Sequence, residues 1–206
     1  MNILILGATG RVGRQLLKFA LHDRHNVTVL VRNHEKIQIV DANLTIVQGN
    51  VLDSDKITQV IKGQDVVISA LNTDGSSTLS DSMPLIINVM KNAAIKRIIT
   101  IGTGGILQSR VEPHLLRYQS SESKRKTKTA AEDHHKAFII LEKSDLDWTI
   151  VCPTYLPDGE HLGVYRVERD YLPEGGLEIS VFDTAEFAYK QIEKRDYIKS
   201  RVGIAY

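Results

Sequence analysis

The residues best placed to do chemistry are three glycines. Gly7, Gly10 and Gly13 are spaced G-x-x-G-x-x-G in Gly7-Ala8-Thr9-Gly10-Arg11-Val12-Gly13. They follow the apolar run Ile3-Leu4-Ile5-Leu6 and open an amphipathic stretch. A strand feeding a glycine turn feeding a helix aims backbone N–H groups and the positive helix end at one point. That point suits a pyrophosphate. Gly7 takes the tight turn, Gly10 lets the phosphate approach, and Gly13 lets the helix pack close to the strand. Dinucleotide sites are completed at the end of the second strand, about 20 residues on, by an acidic residue for a free ribose or an arginine for a 2′-phosphate. Here the second strand, Val27–Val31, runs into Arg32, with Lys36 about one helical turn later. A guanidinium there can pair bidentately with phosphate. The pattern therefore points to NADP(H) over NAD(H).

Other reactive side chains argue for less. His134 and His135 are adjacent, and neighbours on a helix do not face each other, so they cannot chelate a metal from one face. No cysteine pattern supports them, and the expectation is that no metal is bound. The single cysteine, Cys152, sits at a strand end in an apolar context, where inert packing is expected. The basic run Lys124-Arg125-Lys126-Thr127-Lys128 reads as a solvated loop or helix start. It could also attract the phosphate of FMN.

These residues need elements to hold them. Strands are expected at 3–6, 27–31, 44–47, 66–70, 98–101 and from Trp148 to Val151, ending at Pro153. Helices are expected at about 11–22, 54–62, 80–93 and 127–143, with Ser54 as a good N-cap beside Asp53. Pro84 fits only a first turn or a kink. The tail is less regular: apolar runs at 164–167 and 177–179, a helix near 183–193, and a short run at 202–205. Strand–helix alternation with continuously apolar strands predicts an α/β fold: a doubly wound, Rossmann-like parallel sheet covered on both faces. Residues 102–126, rich in Gly, Ser and charge, read as a flap over a site and not as a domain boundary.

Composition sets the bounds. The chain has 206 residues, which fits one domain spanning 1–206. Hydrophobic residues make up 42% and charged residues 25%, as in globular proteins. The formal charge is +1, which argues against nucleic acid as a partner. No stretch reaches membrane-spanning length or resembles a signal peptide, so a cytoplasmic protein is expected.

The ordered set GATGRVG, Val29-Leu30-Val31-Arg32, Gly49-Asn50-Val51-Leu52, Val66-Val67-Ile68-Ser69-Ala70-Leu71 and Asp147-Trp148-Thr149-Ile150-Val151-Cys152-Pro153 resembles a known family. It is similar to the atypical short-chain dehydrogenase/reductases with NmrA-like, NAD(P)-binding Rossmann domains, and nearest to their NADPH-dependent flavin reductases. The resemblance covers nearly the whole chain. It implies a strand order of 3-2-1-4-5-6-7. It implies that Thr9, Gly10, Arg11, Val12 and Gly13 hold the pyrophosphate and that Arg32 and Lys36 hold the 2′-phosphate. Asn50 and Val51 would lie beside the adenine. Ala70, Leu71, Asn72 and Thr73 would line the cofactor after the fourth strand. Thr103 resembles a serine near the nicotinamide. Pro153, Thr154 and Tyr155 resemble a substrate-pocket segment in which the flavin reductases carry a histidine; Tyr155 takes that place here.

Standard members of this superfamily use Tyr-x-x-x-Lys to move a proton during carbonyl reduction. No tyrosine of this chain has lysine four residues on; Tyr118, for instance, is followed by Glu122. Alcohol dehydrogenation and epimerisation are therefore disfavoured. Hydride transfer to a flavin, FMN or FAD, asks less of the protein, because the cofactor carries the chemistry. The sequence thus points to an NADPH-dependent reductase of a small conjugated acceptor, with Thr103 and Tyr155 as its reacting-end residues. The rival is a non-catalytic NADP(H) redox sensor of the NmrA-like type. Neither oligomeric state nor the natural acceptor is legible.

Overall fold

A computed structural model describes residues 1–73, 75–123 and 127–206. One eight-stranded sheet runs through it. Its strands are β1 (Asn2–Leu6), β2 (Asn26–Val31), β3 (Leu44–Gln48), β4 (Val66–Ser69), β5 (Arg97–Ile101), β6 (Asp147–Pro153), β7 (Arg166–Arg169) and β8 (Ser200–Ala205). Among the described residues five α-helices cover it: α1 (Arg11–His22), α2 (Ser54–Ile61), α3 (Thr78–Asn92), α4 (Thr129–Glu142) and α5 (Val181–Lys190). The spatial order is β3-β2-β1-β4-β5-β6-β8-β7.

The central strands alternate between two cores. Leu4, Leu6 and Val67 pack with α2, α3 and α4 on one face. Ile3, Ile5, Val66 and Ile68 pack with α1 and α5 on the other. A strand apolar on both sides must be covered on both sides, which is why these runs carry no polar alternation. At the sheet edge β3 is mostly solvent-facing, and its apolar Ile46 is exposed.

The first six strands stand in the expected order, all parallel. The other edge departs from it. The run at 202–205 belongs to a completely buried strand, β8, parallel to β6. Outside it lies β7, antiparallel to β8, so the sheet is not wholly parallel. Residues 177–179 form no strand; Glu178 makes only an isolated bridge to Tyr155.

Two helix starts also depart from expectation. Asp53, not Ser54, caps α2, accepting the N–H groups of Asp55 and Lys56 at 3.0 and 3.1 Å. Pro84 lies in the second turn of α3, where its ring removes one helical N–H. The α3 start is capped from a distance: the buried Asp133 of α4 accepts the N–H groups of Leu79 and Ser80, each at 3.0 Å, and the Ser80 hydroxyl at 2.6 Å. A carboxylate on unsatisfied first-turn N–H groups stabilises a helix by about 1 kcal/mol or more, and here it also fixes α4 against α3.

Candidate dinucleotide and acceptor site

The carboxyl ends of the parallel strands carry two clefts. The first, about 410 Å³, lies where the chain order reverses at β1 and β4, the usual ligand position in open α/β sheets. Gly7 turns the chain out of β1 with φ +80°, and a Cβ there would stand 2.3 Å from the Ala70 carbonyl oxygen. A Cβ on Gly13 would stand 2.1 Å from the Gly7 carbonyl oxygen. Both positions are closed to any side chain. At Gly10 the nearest atom would be 3.3 Å away, so the fold tolerates more there and the bareness serves the cleft. Gly10 is the N-cap of α1 and offers no capping side chain. Among the described residues no side chain caps the first-turn N–H groups of α1, which leaves them open to an outside acceptor of the anionic kind.

The cofactor candidates divide between those that line this cleft and those that do not. Gly7, Thr9, Gly10, Arg32, Asn50, Val51, Ala70, Leu71 and Asn72 line this cleft. Asn50 accepts the Leu52 N–H at 3.1 Å, fixing the turn after β3. Arg11, Val12, Gly13, Lys36 and Thr73 have no part in the lining. Arg11 turns outward, where its Nη1 donates to the Leu156 carbonyl at 2.8 Å and to Asp158 at 3.1 Å. The Val12 side chain is core, so what it can give a ligand is its backbone. Lys36 closes a short 3₁₀ turn, His34–Lys36, on the surface. Thr73 is buried, with its N–H on Asn72 Oδ1. Ser76 and Thr78 also reach the cleft, and nothing in the sequence pattern had marked them.

The second cleft, about 380 Å³, lies beyond β5 and β6. Thr103, Pro153, Thr154 and Tyr155 all line it, together with Arg117, Tyr118, Glu122 and Lys128. The segment after β5 is anchored: Ile106 and Leu107 are core residues, and a 3₁₀ turn spans Gly104–Ile106. The Thr103 hydroxyl caps that turn, accepting the Gly105 N–H at 3.4 Å, which leaves its own proton free to donate. Thr154 Oγ1 donates to the Leu177 carbonyl at 3.3 Å. Tyr155 is held by backbone, its carbonyl accepting the Ile179 N–H at 3.0 Å. Its side chain is 64% exposed, so it does not pack beneath the C-terminal segment.

No sequence motif places Tyr118 or Arg117 at this cleft, because their partners are distant or unpatterned. The Tyr118 hydroxyl meets His135 Nδ1 at 2.9 Å. Burial, with Glu132 next, raises the Tyr118 phenol above its ordinary value. A tyrosinate base is therefore disfavoured, in line with the missing Tyr-x-x-x-Lys spacing. His134 turns toward a cavity of about 20 Å³ with Ser69 and Thr100, and burial drives its pKa down to about 4. Cys152 is fully buried, and its thiol is pushed up to about 12 by that burial; it is the inert packing residue expected. The basic run at 124–128 falls partly outside the described residues.

One further cluster appears only in three dimensions. His161 Nε2 lies 3.5 Å from Asp183 and 3.3 Å from Glu186. Glu186 already pairs with Lys190 at 2.9 Å, and the buried Asp183 accepts from the N–H groups of Leu162 and Gly163 and from the Tyr206 hydroxyl. The cluster ties residues 161–163 to α5. Among the described residues, no helix is long and apolar enough to cross a membrane.

Comparison with known proteins agrees with this geometry. The profile of a family described as NAD(P)H-binding matches residues 7–195. The Bacillus subtilis protein YwnB is 24% identical over 99% of this chain and 98% of its own. A phenylcoumaran benzylic ether reductase of Ginkgo biloba is 35% identical over 54% of this chain, but over only 39% of its own length. A Streptococcus pneumoniae structure described provisionally as an NADH-flavin reductase superposes with a TM-score of 0.86, at 23% identity, over 100% of this chain and 99% of that one. With its glycine turn, Rossmann-like sheet and matched profile, the chain belongs to the NAD(P)H-binding family.

Proposed function

We propose that this protein is an NADPH-preferring reductase that passes hydride to FMN, FAD or a similar soluble conjugated acceptor. The observation that supports the reading is the placement of two clefts at one end of the sheet, one walled by the glycine turn and one lined by Thr103 and Tyr155. Gly10 and the N–H groups of Arg11, Val12 and Gly13 would hold the pyrophosphate. Arg32, with Lys36 at longer reach, would hold the 2′-phosphate. Asn50 and Val51 would flank the adenine, while Ala70 to Thr73 and Pro153 to Thr154 would line the nicotinamide half. Bound NADPH supplies the hydride. Thr103 donates its hydroxyl proton to orient the nicotinamide or the acceptor. Tyr155 offers an exposed ring for stacking and a phenol for proton donation. The names borne by the Ginkgo and Streptococcus relatives support a reductase.

The test is NADPH oxidation by purified protein with and without FMN, with NADH in parallel. The expected result is an FMN-dependent rate well above the protein-free background and larger with NADPH. Bound NADPH with no acceleration by flavin overturns the reading and favours the redox-sensor alternative.

A further inference from the structure

The second cleft contains a guanidinium whose direction is already fixed. Arg117 Nε donates to Glu122 Oε1 at 3.4 Å. Its Nη1 lies 3.4 Å from where a Cβ on Gly104 would stand, on the cleft wall. The side chain is only 23% exposed. Among the described residues neither Nη group has a hydrogen-bond partner. Arginine presents its donors as a rigid fork, so a carboxylate held at the Nε edge leaves the Nη edge oriented and unfilled. Glu122 is not available to fill it, because its other oxygen accepts the Arg110 N–H at 3.0 Å.

The charge balance of the cleft points the same way. Arg117 and Lys128 are its lining cations and Glu122 its lining carboxylate among the described residues. Lys128 has no ion pair among them and stands at the N-cap of α4, where the helix field disfavours a cation. A cleft with one uncompensated positive charge and a pre-aimed donor pair selects for an anion.

We infer that Arg117 anchors an anionic group of the acceptor. The acceptor is then a planar conjugated molecule that carries a phosphate or carboxylate, set on the Nη edge of Arg117 with Lys128 at the rim. This inference rests on the second cleft being the acceptor pocket.

The experiment compares three flavins that share one ring system: riboflavin with no anion, FMN with a phosphate, and a flavin with an N10 carboxymethyl chain. Dissociation constants come from quenching of flavin fluorescence, and turnover from NADPH oxidation. Wild-type protein is expected to bind FMN about tenfold more tightly than riboflavin, the worth of one charge-assisted hydrogen-bond pair. In Arg117→Met that ratio collapses toward one. Arg117→Lys, which keeps the charge and loses the fork, falls between. Should Arg117→Met fold poorly, Lys128→Gln on the exposed rim provides a smaller fall in the same ratio. A carboxymethyl flavin that follows FMN makes the anchor general for anions; one that follows riboflavin makes it specific for phosphate. Equal binding of FMN and riboflavin by the wild type, or a ratio that Arg117→Met leaves unchanged, overturns the inference. Arg117-dependent selectivity without any flavin reduction leaves the inference standing and removes the reductase reading instead.

Discussion

Around β1 and β2 the cleft wall is backbone, while around β5 and β6 it is side chain. The glycine-turn part of the first wall comes from one run of chain, Gly7 to Gly10, with Gly13 packed behind it, and neither Gly7 nor Gly13 can accept even a methyl group; residues after β2, β3 and β4 supply the rest. The second is assembled from residues near 103, 117, 128 and 154. A wall of backbone recognises what every dinucleotide has, a pyrophosphate that takes N–H donors. A wall of side chains can be rewritten residue by residue without disturbing the sheet. On the proposed reading, one site thus combines a cofactor half with few allowed sequences and an acceptor half with many.

The sharpest way to break this contrast is to add one carbon to each wall. Gly13→Ala should destabilise the fold by about 3 kcal/mol or more, since the added atom meets carbonyl backbone that cannot move aside. Gly104→Ala should cost no more than about 1 kcal/mol, because the contacts stay above 3 Å. Urea unfolding of the two variants decides it; equal losses would dissolve the distinction.

His134 gives the second comparison, since it sits under the side-chain wall. Its folded pKa is about 4, against an ordinary value of 6.5. The unfolded chain therefore binds the proton more readily. The neutral histidine's contribution is complete above pH 6.5 and is lost as pH falls toward 4, by an amount on the order of 3 kcal/mol. His134→Gln should flatten that acid limb in stability measurements from pH 7 to 4. A limb of unchanged depth would show that another group produces it.

On the proposed reading the backbone wall takes the pyrophosphate and its rim residue chooses the cofactor. Arg32→Ala should weaken NADPH binding by about tenfold while changing NADH little. Equal losses for both would remove Arg32 from 2′-phosphate recognition. The smallest effects are expected at the acceptor end. Tyr155→Phe and Thr103→Ala should each slow flavin reduction by about three- to tenfold with NADPH affinity intact, if the phenol assists and solvent can replace it. Unchanged rates in both would leave the two residues with lining roles alone.

What could be read in the sequence follows the same division. The glycine turn, α1 and the first six strands are local patterns, and local patterns print themselves in the chain. Arg32 was readable because its place is set by counting from a strand end. Asp53 and Ser54 differ by one residue, and both are good caps, so only the geometry separates them. The apolar run at 202–205 carries little signal of its own, because its importance lies in its neighbours, β6 and β7, which begin more than 30 residues earlier. Asp133 capping α3, the Tyr118–His135 contact and the Arg117 fork all join residues whose chain separation carries no period. Such pairings are decided by tertiary packing, and a motif scan has nothing to count.

The position of β8 also bears on synthesis. It fills the slot between β6 and β7, although both are translated before it. A growing chain that has not yet released residues 200–205 from the ribosome has β6 with an open edge, and β7 with no strand to join. Open, apolar strand edges are templates for adventitious pairing. The strands under the first cleft can pair early in translation, whereas β6, under the second, keeps one edge open until β8 arrives. A chaperone acting on the nascent chain would be expected to hold β6.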